Sequence, residues 1–94
     1  MDTVHLPDGH SLDAVTFATQ KTKILVIRAR LGILGCGYIS LETAAKVGDV
    51  LAVVSGVSDY DGMLQASVKA VSPAAEALGI RPGMTGCDAL TKMM

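Results

Sequence analysis

Residues 33–40 have the sequence Ile-Leu-Gly-Cys-Gly-Tyr-Ile-Ser, and the pattern of the chain changes from strand to helix inside this segment. The apolar residues at its start predict a short strand over Ile33 to Tyr38. Ser40 is a favoured N-cap residue, and it precedes a helix predicted over Leu41 to Val47. Gly48 follows as the stop signal, because glycine readily adopts the left-handed conformation of a helix end. A strand that turns directly into a helix indicates a fold that combines both element types.

The chain before this segment has the pattern of an antiparallel meander. Short strands are predicted over Thr3 to Leu6 and Leu12 to Thr19, and Pro7-Asp8-Gly9 between them is a turn sequence. The next strand is predicted over Lys23 to Ala29. Its centre, Ile24-Leu25-Val26-Ile27, is a continuous apolar run, which is typical of a strand that is buried on both faces.

The chain after residue 48 alternates between strand and helix signals. The predicted elements are, in order, a strand at Asp49–Val54, a turn or short helix at Ser58–Gln65, a strand at Ala66–Val71, a helix capped by Ser72 and a helix capped by Thr85. Together these patterns predict an α+β fold. An N-terminal antiparallel meander joins a mixed sheet of five or six strands, with three or four short helices. We expect residues 1–94 to form one domain.

The composition limits the classes of protein to which the chain can belong. The 94 residues carry a formal net charge of −1, which argues against a nucleic-acid partner. No apolar run approaches the roughly 20 residues of a bilayer-spanning helix, and the N-terminus lacks the pattern of a signal peptide. Two well-separated cysteines are typical of free thiols in the cytoplasm. We therefore expect a cytoplasmic protein with no membrane partner.

The proportion of small aliphatic side chains predicts self-association. Hydrophobic residues make up 50% of the chain, but only three residues are aromatic. A small domain has much surface for its volume, so a chain of this composition leaves apolar surface exposed. Large exposed apolar patches usually mark an interface. We therefore expect a homo-oligomer, with a dimer as the simplest case.

Two segments carry a resemblance to a known family. Gly32-Ile33-Leu34-Gly35-Cys36-Gly37-Tyr38-Ile39 and Ala75-Glu76-Ala77-Leu78-Gly79-Ile80-Arg81-Pro82-Gly83-Met84-Thr85-Gly86 resemble the YunC-like family, small bacterial and archaeal proteins classed as a domain of unknown function. The resemblance covers nearly the whole chain and implies a compact stand-alone α+β domain that is oligomeric and cytoplasmic. It implies no activity. Cys87 stands where the family has a basic residue, so a role for Cys87 would not be a role of the family.

The glycine-rich turn is the main candidate site, and its binding candidates are Gly35, Cys36, Gly37, Tyr38 and Ser40. Its spacing is similar to that of a dinucleotide-binding turn. However, Ser40 stands in place of the third glycine, and the following helix has about two turns, which is short for a crossover. A tight strand-to-helix turn, or a backbone site for a small anion, fits better. The Cys36 thiol is either a reactive group at the strand end or a small buried hydrophobe.

Arg81 and Thr85 form a second candidate site, because an arginine beside the start of a helix suits a carboxylate or a phosphate. Metal ligands are poorly represented. His5 and His10 flank a turn that contains Asp8, but a fourth ligand is missing. The sequence therefore predicts no metal site.

Two classes of function remain open. A homo-oligomeric protein that binds a small anionic ligand or a protein partner agrees with the scarcity of acid–base groups, since the chain has only two His. The alternative is a small enzyme with a cleft near Gly35 to Ser40, which two subunits could share. The sequence identifies neither a cofactor nor a substrate.

Overall fold

The computed structural model describes residues 1–94 and contains a mixed sheet of six strands in the order β1-β2-β3-β4-β5-β6. The strands are β1 (Asp2–His5), β2 (Ser11–Ala18), β3 (Lys23–Arg28), β4 (Ile33–Gly35), β5 (Leu51–Val53) and β6 (Ala70–Val71). Neighbouring strands are antiparallel, except for the parallel pair β4 and β5. The helices are α1 (Leu41–Val47), α2 (Tyr60–Gln65), α3 (Pro73–Ala77) and α4 (Gly86–Lys92). The predicted α+β class with its meander and mixed sheet is confirmed.

Side-chain caps begin all four helices. Ser40 Oγ accepts a hydrogen bond from a first-turn amide at 3.1 Å, and α1 covers the residues predicted for it. Ser72 and Thr85 cap α3 and α4 as expected, and Asp59 caps α2. Gly48 ends α1 in the left-handed conformation, with φ at 83°. None of these helices has the length and apolar character needed to cross a bilayer.

Helices cover the two faces of the sheet unequally. Leu34 of β4 and Ala52 of β5 belong to the main core, which also contains buried residues of α2, α3 and α4. Leu51 precedes Ala52 and so points to the opposite face, where it and Ala44 of α1 are buried outside the main core. We call the face that carries α1 the outer face, and the face that carries the other three helices the inner face.

The prediction that β3 is buried on both faces is wrong. Leu25 and Ile27 point to the inner face and are buried, whereas Ile24 and Val26 on the outer face are only partly buried. The cause lies in the placement of α1, which packs against β5 and leaves the outer face of the meander uncovered.

Helix α1 connects β4 to its parallel neighbour β5, although it has only seven residues. The helix is short for a crossover, as the sequence indicated, but it still connects two parallel strands. Residues 36–50 form the whole connection, and the non-helical residues on either side of α1 supply the rest of the length that a parallel pair requires.

The strand predicted over Ala66 to Val71 is shorter in the structure, where β6 contains only Ala70 and Val71. The preceding residues pair elsewhere. Ser67 forms an isolated antiparallel bridge with Thr85, and the Val68 amide donates to the Met84 carbonyl at 2.8 Å. Because these backbone groups bond to the loop before α4, they do not extend the pairing with β5.

Candidate functional site

A cleft of about 360 Å³ lies at the carboxyl ends of the parallel strands β4 and β5. Its lining residues are Thr22, Lys23, Cys36, Gly37, Tyr38, Ser55, Gly56 and Val57. They come from three segments, which are the start of β3, the turn after β4 and the turn after β5. The segments meet because β3 runs antiparallel to β4, so its first residue lies beside the last residues of the parallel pair. Crevices at the carboxyl ends of parallel strands are common places for ligands.

Backbone hydrogen bonds hold the turn after β4 in place. The Val54 amide donates to the Gly35 carbonyl at 2.9 Å, and the Cys36 amide donates to the Leu25 carbonyl at 3.0 Å. The Ile39 amide then closes the turn on the Cys36 carbonyl at 3.0 Å. Gly35 is required here because a Cβ at this position would lie 2.6 Å from Ile39 Cγ1. The turn therefore presents Gly37 and Tyr38 to the cleft in a fixed position.

The Cys36 thiol is almost fully buried, with 5% of the residue exposed. Its sulfur accepts a hydrogen bond from the Leu25 amide at 3.3 Å and lies 3.9 Å from the Lys23 carbonyl oxygen, to which it donates. These contacts favour a structural role, in which the thiol joins the end of β4 to β3. A buried thiol with both hydrogen-bonding functions engaged is poorly placed to attack a ligand.

Lys23 is the only charged side chain that lines the cleft. Its ammonium group makes one long contact, 3.4 Å to the Ser58 carbonyl, and the residue is exposed. Tyr38 is 57% exposed and Ser55 is exposed, so their hydroxyl groups are accessible beside it. The lining contains no carboxylate and no histidine. The cleft therefore combines one positive charge with neutral hydrogen-bonding groups.

The sequence-based candidates divide into three groups in the structure. Cys36, Gly37 and Tyr38 line the cleft, while Gly35 and Ser40 lie beside it as structural residues of the turn and the cap of α1. Arg81 and Thr85 line neither this cleft nor the other three surface depressions.

The contacts of Arg81 and Thr85 explain their separate placement. Arg81 donates to the carbonyl oxygens of Glu76, in the last turn of α3, and of Ile80, in the loop after it, at 2.9 and 3.3 Å. Thr85 Oγ1 accepts from the Asp88 amide as the cap of α4. The geometry shows both residues in contacts that stabilise helix ends.

Sequence reasoning missed five lining residues, which are Thr22, Lys23, Ser55, Gly56 and Val57. Each lies next to a strand end that was predicted within a few residues. The sequence did not reveal that β4 and β5 pair in parallel. That pairing places the carboxyl ends of β4 and β5 beside each other and next to the start of β3.

The histidines of the first hairpin bind separate partners. His10 Nδ1 lies 2.9 Å from Asp8 Oδ1, and the His10 amide donates to the same oxygen at 3.0 Å. These two hydrogen bonds hold the pKa of Asp8 below its usual value. His5 instead contacts the Ser11 hydroxyl at 3.0 Å. No three residues among His, Cys, Asp and Glu come close enough together to hold a metal ion.

Tyr60 forms a second polar cluster outside the cleft. Its hydroxyl accepts a hydrogen bond from Thr16 at 2.7 Å and donates to Asp2 at 2.6 Å, so it joins α2 to β1 and β2. Burial and the hydrogen bond to the Asp2 carboxylate raise the pKa of Tyr60 above its usual value. The side chains of Thr16, Tyr60 and Asp2 are hydrogen-bonded to one another, which indicates a structural role for Tyr60.

A protein-family model, a relative and a solved structure all match this chain. The family model described as "Domain of unknown function (DUF1805)" matches residues 35–93. The uncharacterized protein YunC of Bacillus subtilis (strain 168) is 35% identical over 91 residues, which cover 93% of this chain and 90% of that protein. The crystal structure of a protein of unknown function from Thermoplasma acidophilum matches with a TM-score of 0.91 and 31% identity, over 99% of this chain and 90% of that one. The resemblance to YunC-like proteins is confirmed, and the chain belongs to the DUF1805 family.

Proposed function

We propose that the protein is a homo-oligomeric binding protein that takes a small anionic ligand in the cleft at the ends of β4 and β5. The observation that carries this proposal is the charge of the lining, since Lys23 is its one charged residue and no carboxylate lines the cleft. An ammonium group attracts an anion, and hydrogen bonds to charged groups are stronger than those between neutral groups. The hydroxyl groups of Tyr38 and Ser55 and the backbone of two glycines supply further donors to the same space.

The size of the cleft supports a small ligand. Its volume of about 360 Å³ is near the lower end of the range of about 300 to 1,000 Å³ that is usual for ligand pockets. A metabolite with one phosphate or carboxylate group fits this volume better than a dinucleotide.

The chemistry of the lining supports binding rather than acid–base catalysis. General acids and bases in enzymes are most often His, Asp or Glu, and none of these lines the cleft, where Lys23 and Tyr38 are the accessible groups that carry a titratable proton. The Cys36 thiol is buried and engaged by two backbone groups of β3. Lys23, Tyr38 and Ser55 remain accessible as hydrogen-bond donors, and the lining offers no carboxylate or imidazole to act with them as an acid–base pair.

A titration with inorganic phosphate tests this proposal. We expect the backbone amide signals of Gly37 and Gly56 to shift in nitrogen–proton NMR spectra as phosphate is added. Substitution Lys23→Met should weaken phosphate binding by roughly 10- to 100-fold, because a hydrogen bond to a charged group contributes about 1.5 to 3 kcal/mol.

Lys21→Met is the matched control. Lys21 is exposed and carries the same charge two positions earlier, but it does not line the cleft. It should leave the phosphate affinity within about a factor of two, because Lys21 does not reach a ligand in the cleft directly and its exposed charge is weakened by water and salt. Equal losses of phosphate affinity in Lys23→Met and Lys21→Met would show that the affinity depends on the net charge of the protein and not on a contact from Lys23. No shift at Gly37 or Gly56 at any phosphate concentration would reject the cleft as a site for this anion.

A further inference from the structure

The outer face of the meander carries an exposed apolar surface, which we call the open face. Its apolar residues are Val15, Phe17, Ile24, Val26 and Ile33. They form cross-strand pairs, with Val15 opposite Val26 and Phe17 opposite Ile24. Phe17 is 69% exposed and Val15 is 44% exposed.

This composition departs from that of an ordinary solvent-facing sheet. Antiparallel strands with one solvent-exposed face normally alternate between apolar residues, which point to the core, and polar residues, which point to solvent. In β2 the inner positions Leu12 and Ala14 are buried as expected, but the outer positions Val15 and Phe17 are also apolar. No helix covers them, since α1 packs against β5. An uncovered cluster that includes an aromatic side chain is typical of a surface that another protein covers.

The open face has a projection and a groove on the same strands. Phe17 projects at one end of β2. Toward the other end, a groove of about 150 Å³ is lined by Met1, Asp13, Ala14, Val15, Val26, Arg28 and Ile33. The centre of the groove lies about three residues from Phe17, which corresponds to roughly 10 Å along an extended strand.

We infer that the open face is the contact surface with a second copy of this chain, arranged about a two-fold axis. In such an interface each residue meets its counterpart reciprocally, so the projection on one copy can enter the groove of the other, and the reverse. The inference rests on the proposed self-association but not on the proposed ligand. It adds the surface through which the copies meet.

The charges on the open face agree with a second copy as the occupant. Arg28 and Asp13 form an ion pair at 2.7 Å at the groove end, and both side chains are more than half exposed. One charge of each sign makes this end neutral overall. Two copies can therefore approach without a net repulsion, and the Arg28 of one copy can face the incoming Phe17 ring of the other. A partner of strong single charge would gain nothing from such a surface.

Sedimentation equilibrium of the purified protein is the test. We expect the wild-type chain to reach twice its mass of 9.7 kDa as its concentration rises. Substitution Phe17→Glu should weaken the dimer by roughly 30-fold or more, because an aromatic side chain that fills a groove of the partner contributes a large share of interface affinity, and a carboxylate would be desolvated there. Val15→Glu should act in the same direction. Both side chains are exposed in one copy, so circular dichroism and thermal melting should show folded variants.

Leu78→Glu is the control, because Leu78 is 37% exposed at the end of α3, on the inner side of the sheet. It should leave the dimer intact. A wild-type chain that stays monomeric would overturn the inference and the proposed association, while the phosphate titration would still stand. A dimer that survives Phe17→Glu, or that Leu78→Glu also dissociates, would show that the copies meet elsewhere.

Discussion

Tyr60 joins three elements through one hydroxyl group, which bonds to both Thr16 and Asp2. Substitution Tyr60→Phe removes both hydrogen bonds while keeping the ring that packs against the core. We expect a loss of about 1 kcal/mol in the free energy of unfolding near neutral pH, because the partners are exposed and water can replace the hydroxyl. Denaturant titration of the two proteins measures this difference.

The same tyrosine predicts a response to alkaline pH. Its pKa is raised in the folded state, so the unfolded chain loses the phenolic proton first as the pH rises. Its contribution is therefore complete below the usual tyrosine pKa of about 10 and is lost as the pH rises through the higher folded value. The wild-type protein should lose more stability than Tyr60→Phe in this range. Parallel stability curves for the two proteins above pH 10 would contradict this assignment.

At this scale the sequence predicted the local contacts but not the distant ones. Ser40 and Gly48 were assigned to the ends of α1 because a cap bonds to neighbours within a few positions. Tyr60 and Asp2 are 58 positions apart, and no local pattern indicates that they meet. Lys23 was likewise assigned only to a strand start, because its place in the cleft depends on residues after β4 and β5.

Among the elements, α3 is tied to the sheet through Ser72, which is fully buried. Its hydroxyl donates to the Asp49 carbonyl at 2.7 Å and accepts from the amides of Leu51 and Ala75, at 3.0 and 3.3 Å. Ser72→Ala should cost about 2 to 4 kcal/mol in unfolding free energy, because it removes a helix cap and leaves buried backbone groups without a partner.

Ser40→Ala is the comparison for this prediction. Ser40 also caps a helix, but it is exposed, so water can satisfy the freed amide. We expect a loss of about 1 kcal/mol from it. Equal losses in the two variants, measured by urea unfolding, would mean that the bonds from Ser72 to β5 contribute nothing beyond the cap.

The bounds of an element were predicted best where start and stop residues mark both of its ends. The bounds of α1 were predicted correctly because Ser40 and Gly48 mark both ends. The strand over Ala66 to Val71 was predicted too long, because its first residues pair with the loop before α4. This pairing is a long-range contact that the local sequence does not indicate. The burial of β3 was overestimated for a related reason, since an apolar run does not show whether this chain or another copy covers it.

At the scale of the whole molecule, the proposed dimer would link stability to protein concentration. If two copies unfold together, the melting temperature should rise by about 3 °C for each tenfold increase in protein concentration, because mass action favours the dimer. Scanning calorimetry of the wild-type chain at several concentrations measures this slope. The Phe17→Glu variant should show a flat dependence. A wild-type melting temperature that is independent of concentration would contradict the open face as a contact surface.

Gly37 is a position at which the shape of the cleft can change without a steric clash. It lines the cleft, its backbone does not have a positive φ, and a Cβ added there would meet no atom within 4 Å. A methyl group at this position would therefore narrow the cleft without meeting a neighbouring atom. Gly35, two positions earlier, has no such freedom because Ile39 occupies the space. If the cleft binds the proposed anion, a substitution at Gly37 would change which ligands fit, whereas one at Gly35 would disturb the turn itself.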